Sequence, residues 1–160
     1  MDLFQPSECI RRERHQIAVI GAAEASPEEE QFAYQVGELL AAEACILLTG
    51  GQGGVMEASS KGAHDGGGTV VGIVPGCEGN PYLDVIIKTR IGHSRNVILV
   101  ESATGVIAVG GSYGTLSEIG IALKTGKPVF GIRTWDIPGV IPCSDSTEAV
   151  QLLIRYCNSI

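Results

Sequence analysis

The feature that most constrains this chain is a repeated unit: a short apolar run that stops at glycine and leads into a helical pattern. Ile17-Ala18-Val19-Ile20 ends at Gly21, and Ile46-Leu47-Leu48 runs into Thr49-Gly50-Gly51-Gln52-Gly53-Gly54. Gly105-Val106-Ile107-Ala108-Val109 runs into Gly110-Gly111-Ser112-Tyr113-Gly114. Apolar runs without polar alternation belong to strands covered on both faces. Alternating with helices, such strands form parallel sheets through right-handed crossovers.

The intervening segments fit that scheme. Ser26-Pro27-Glu28-Glu29 predicts a helix start, with Ser26 as cap, Pro27 in the first turn and Glu29 closing a capping box. Phe32, Val36, Leu39 and Leu40 then follow the spacing of one buried helix face. A second helix through Val55, Met56 and Ala63 stops at the glycines of 66–68, and a strand over 70–74 breaks at Pro75-Gly76. An edge-like strand is expected over 85–87, a helix over 92–101, and a helix over 115–125 with Leu116, Ile119 and Leu123 in step. Residues 128–132 read as the last strand and 144–157 as a closing helix. The fold expected is a three-layer, doubly wound, Rossmann-like α/β domain with a mostly parallel sheet, spanning 16–160. Residues 1–15, with Arg11, Arg12 and Arg14, read as a flexible lead-in with a solvated basic run. This architecture binds its ligand at the carboxyl ends of the strands.

Composition narrows the ligand. Glycine numbers 22 of 160, against an ordinary share of ~7%. The excess is clustered at the turns, where backbone must approach something closely. A net charge of −7 and an aromatic content of 5% argue against nucleic acid and anionic membranes as partners. Five scattered cysteines (Cys9, Cys45, Cys77, Cys143 and Cys157) suggest neither a disulfide framework nor a metal site. Reduced thiols, with no long apolar stretch and no signal-peptide core, lead us to expect a cytoplasmic protein.

Three constellations could carry chemistry. The first is the pair of glycine-rich turns, Gly50–Gly54 leading into Val55 and Met56, and Gly110–Gly114 leading into Thr115. Bare amides beside a helix N-terminus suit an anion such as phosphate. Neither turn has the dinucleotide spacing, and Gly126-Lys127-Pro128 is no P-loop. The second is Lys88, Arg90, His93, Ser94, Arg95 and Asn96, a basic cluster in an acidic chain. Arg95 in the first turns of a helix is unfavourable unless it meets an anion or an ordinary salt-bridge partner. His93 taken alone reads as structural. The third is Glu118, either the far end of a Thr115–Glu118 capping box or a carboxylate aimed into the cleft to support a cationic sugar or activate water.

Gly111-Ser112-Tyr113-Gly114-Thr115-Leu116-Ser117-Glu118 resembles the P-G-G-x-G-T-x-x-E signature of the LOG-like proteins, once labelled "lysine decarboxylase". Thr49-Gly50-Gly51-Gln52-Gly53-Gly54-Val55-Met56 resembles that superfamily's other glycine-rich turn, and Ser94-Arg95-Asn96 falls where it carries an Arg-Lys pair. The resemblance spans 16–157. It implies either of two functions. One is a phosphoribohydrolase that cleaves nucleoside 5′-monophosphates to base and ribose 5-phosphate, with Arg95 and Glu118 catalytic. The other is a binding protein like the molybdenum cofactor carriers, which hold the cofactor without turnover. Asn96, Gly110 and Ser112 stand where the hydrolases have Lys, Pro and Gly, and the wording around Val109–Glu118 is closer to the carriers. The resemblance therefore favours a carrier with the molybdenum cofactor as ligand. Its phosphate would be held by residues among Gly21, Thr49–Gly51, Gly53–Met56, Ser94–Asn96, Gly110–Thr115 and Glu118. A homodimer or homotetramer is expected, with the helices near 91–101 and 115–125 meeting a partner copy.

Overall fold

A computed structural model describes residues 14–160. Seven parallel strands are ordered β4-β3-β2-β1-β5-β6-β7. They are β1 (Gln16–Gly21), β2 (Ile46–Thr49), β3 (Thr69–Val74), β4 (Val85–Lys88), β5 (Gly105–Val109), β6 (Val129–Ile132) and β7 (Val140–Cys143). The helices are α1 (Pro27–Ala42), α2 (Val55–Asp65), α3 (Arg95–Glu101), α4 (Tyr113–Lys124) and α5 (Ser146–Ser159). A 3-10 turn, Gly92–Ser94, leads into α3.

The apolar runs bury both faces, as continuous patterning requires. Ile17 and Val19 of β1 point into a cluster with Val36, Leu40 and Leu153, from α1 and α5. Ala18 and Ile20 point the other way, toward Leu99 and Val100 of α3 and Ile119 and Ala122 of α4. The sheet is thus sandwiched by α1, α2 and α5 on one face and α3 and α4 on the other, giving three layers. Helices α1 and α2 cross at glycine: a Cβ on Gly62 would overlap the Tyr34 carbonyl, and one on Gly37 the Ser59 carbonyl.

Three expectations need correction. The last strand is not 128–132, because β7 follows it, pairing Phe130 with Ile141 and Ile132 with Cys143. Pro142 hid it from pattern reading, since proline is accepted in a sheet only where its missing N–H faces outward, as on this outermost strand. Helix α4 begins at Tyr113, two residues before the expected start, so Thr115 lies inside it and cannot cap it; the N-cap is Ser112, without a side-chain bond. The Thr115–Glu118 capping box is therefore not formed. Arg14 is exposed, as expected, but its side chain is bonded to the domain. Its Nε donates to the Ala44 carbonyl at 2.8 Å and its Nη1 to Thr69 Oγ1 at 3.1 Å, tying down the entries to β2 and β3. Arg11 and Arg12 lie outside the described residues. By contrast, the α1 capping box forms as expected, with Ser26 Oγ accepting from Glu29 N–H and the Glu29 carboxylate accepting from Ser26 N–H.

Candidate functional site

Strand order reverses between β1 and β5, and there the crossover helices diverge to opposite faces, leaving a crevice at the carboxyl edge. A cleft of about 220 Å³ opens at that point. Its walls come from the loop after β1 (Gly21, Ala22, Ala23), from Met56 in the first turn of α2, from His93, Arg95 and Asn96, and from the start of α4 (Ser112, Gly114, Thr115, Glu118).

The floor is the N-terminus of α4. Among the described residues no side chain caps its first amides, and at Gly114 a Cβ would meet nothing within 4 Å, so the backbone there faces open space. Uncapped amides at a helix start carry partial positive charge. Gly110 and Gly111 shape this turn with φ of 54° and 114°, a left-handed path that other residues rarely take. Gly110 also lies against the Glu29 carboxylate, and Gly111 against the Thr115 side chain.

Arg95 forms one wall. It is only 7% exposed, yet it makes no salt bridge within the described residues, although the Glu118 carboxyl is near enough for the two charges to act on each other. Its Nη1 donates to the Ile73 carbonyl at 2.9 Å, and the guanidinium fills the space that a Cβ on Gly50 would take. Among the described residues its Nε has no partner, and neither has Asn96 Oδ1 nor Thr115 Oγ1. Three orphaned buried polar atoms around one cleft are unusual, because such atoms normally find partners. Glu118 is 6% exposed, with no hydrogen bond among the described residues. Burial pushes its carboxyl up to about 7, although the Arg95 charge pulls the other way. The same burial lowers the Arg95 pKa, while Glu118 opposes that shift.

The two glycine turns are not equivalent. In the first, Thr49 is buried and its Oγ1 accepts from Gly51 N–H at 3.2 Å. The Gly51 carbonyl accepts from Asn80 N–H, and the Gln52 carbonyl from Asn80 Nδ2. Gly51 and Gly53 line a separate hollow with Glu78 and Asn80. Gly54 packs on the Ala22 and Ala23 carbonyls, and Val55 is core. Only Met56 from this segment reaches the cleft. Ser94 is exposed outside it, Tyr113 is 81% exposed beside Trp135, and Lys88, Arg90 and Cys77 lie elsewhere on the surface. Sequence reasoning missed Ala22 and Ala23, which carry no functional group to signal them. It set His93 aside, although position within a basic cluster could have kept it.

A Rossmann-like parallel α/β domain with an amide-floored, arginine-walled cleft at its switch point is the class that fold and site define. Within that class, a model of the SLOG cluster4 family matches residues 14–155, and the chain belongs to that family. An uncharacterized protein of Archaeoglobus fulgidus is 48% identical over 146 residues, covering 90% of this chain and 95% of that one. A protein of Oryza sativa subsp. japonica, described as a probable cytokinin riboside 5′-monophosphate phosphoribohydrolase, is 32% identical over 87 residues, which is 51% of this chain and 38% of that protein. Among solved structures, the molybdenum cofactor binding protein of Rippkaea orientalis superposes with a TM-score of 0.86 at 34% identity, covering 91% of this chain and 99% of that one. The Moco carrier protein of Chlamydomonas reinhardtii superposes at 0.85 with 30% identity, over 92% and 99%.

Proposed function

We propose that this chain is a binding protein for a phosphate-bearing small ligand, and that the ligand is the molybdenum cofactor, held without turnover. The observation that carries the reading is the set of orphaned polar atoms, Arg95 Nε, Asn96 Oδ1 and Thr115 Oγ1, around the uncapped start of α4. Amides at a helix N-terminus and a buried guanidinium together complement a phosphate. Likeness along nearly the full chain to proteins described as cofactor binding and cofactor carrier supports the identity of the ligand. In this reading the Gly114 and Thr115 amides seat the phosphate, Arg95 supplies the counter-charge, and Gly110 and Gly111 hold the turn open. Gly50 gives room to the Arg95 guanidinium. Copies associate through the face where Val97 and Ile98 of α3 are 48% and 40% exposed.

One observation favours a second reading, hydrolysis of a nucleoside 5′-monophosphate. The Glu118 carboxyl, pushed up to about 7, shares the cleft with Arg95 and could support an oxocarbenium-like sugar. Two assays separate the readings. The carrier reading expects the molybdenum cofactor to bind saturably, Arg95→Ala to weaken binding at least tenfold, and AMP to release no adenine. Adenine release that Glu118→Ala abolishes would replace it with the hydrolase, and absence of cofactor binding by the wild type would overturn it.

A further inference from the structure

Asn96 and Ser117 form a small relay at the cleft wall. The Ser117 hydroxyl donates its single proton to the Gly114 carbonyl at 2.7 Å. Its oxygen can then only accept, and it accepts from Asn96 Nδ2 at 3.0 Å. This assigns the amide, which a side chain of nearly symmetric shape would otherwise leave open. Nδ2 is committed to Ser117, and Oδ1 is left as an acceptor with no donor among the described residues. Asn96 is 4% exposed and lines the cleft, and a buried acceptor left unpaired there is costly. Arg95 Nε, an orphaned donor on the preceding residue, asks for the opposite partner.

From this juxtaposition we infer that Asn96, oriented by Ser117, is a specificity-determining residue that demands a hydrogen-bond donor, an N–H or O–H, on the ligand beside its anionic group. The inference rests on the binding reading above and deepens it. A bare oxyanion offers acceptors alone: it answers Arg95 and the α4 amides but leaves Asn96 Oδ1 unpaired. A phosphate ester of a pterin or a sugar brings both kinds of group. Sites built to hydrogen-bond an N–H or O–H discriminate strongly against analogues that lack it.

The test is calorimetric titration of wild type, Asn96→Leu and Ser117→Ala with two probes, neopterin monophosphate and sulfate. Asn96→Leu is expected to weaken neopterin monophosphate tenfold or more while changing sulfate less than twofold. Ser117→Ala lies on an exposed position and keeps the fold; it frees the amide to turn its NH₂ toward the cleft. It is therefore expected to weaken the pterin probe and tighten sulfate, each at least twofold. Equal changes for both probes in Ser117→Ala, or none, would overturn the role of Asn96 while leaving the binding reading standing. Wild type that binds neither probe would overturn both.

Discussion

Glu118 is the residue with most to say about pH. Its carboxyl titrates near pH 7 in the folded chain, against 4.5 ordinarily, because burial penalises the charge more than Arg95 rewards it. A raised folded-state pKa means that the folded chain holds a proton the unfolded chain has lost between those values. The stability contribution is thus full below about pH 4.5 and is lost as pH rises to about 7. Glu118→Gln should flatten that slope in thermal melts recorded from pH 4.5 to 8 and should melt higher than wild type above pH 7. The same proton bears on binding: above pH 7 an anionic Glu118 opposes a phosphate in the cleft. Anion affinity should fall through neutrality in wild type and lose that component in Glu118→Gln. His93 and Arg95 share the cleft with it, so His93→Gln measured in parallel separates the imidazole from the carboxylate. A wild-type melting profile without slope over this range would contradict the assigned shift.

Between elements, the closest fit is where α1 crosses α2. Gly37 and Gly62 let the two backbones meet, and no side chain is free to yield there. Gly62→Ala should therefore destabilise the fold even though alanine is the better helix former, by about 1–3 kcal/mol as overpacking does. Chemical denaturation checks this, and an unchanged midpoint would show the crossing to be loose. Most elements were legible in the chain because each level of signal agreed. The β1, β2, β3 and β5 runs are apolar on both sides, and Ser26 with Glu29 marks the start of α1. The failures have physical causes. β7 is a short outermost strand containing Pro142, so neither its length nor its composition signals pairing. The α4 boundary is disguised because Thr115 and Glu118 have the spacing of a capping box. That same spacing puts both on one buried face inside the helix.

At the scale of the whole molecule, sheet topology assembles the site. Gly21, Arg95 and Glu118 are distant in sequence, and only the reversal of strand order between β1 and β5 brings them to one crevice. The second glycine turn and Arg95 could be picked out beforehand, since missing side chains and an isolated cation are chemical signals. The unequal roles of the two turns could not. What consumes the first turn is the distant Asn80, whose hydrogen bonds depend on how the loop after β3 folds back. Self-association also belongs to this scale. Val97 and Ile98 stand exposed on α3, and Val85, Ile86 and Ile87 on the outermost strand β4. Light scattering during gel filtration should give a dimer or tetramer for wild type and a smaller species for Val97→Asp/Ile98→Asp; a monomeric wild type would contradict the proposed association.

The central claim is that the start of α4 and the Arg95 guanidinium together seat a phosphate. A crystal structure of the protein grown with the molybdenum cofactor tests it directly. The account predicts the cofactor's phosphate against the Gly114 and Thr115 amides, with Arg95 Nε donating to it. Cofactor bound with its phosphate away from that cleft, and Arg95 Nε still without a partner, would contradict it.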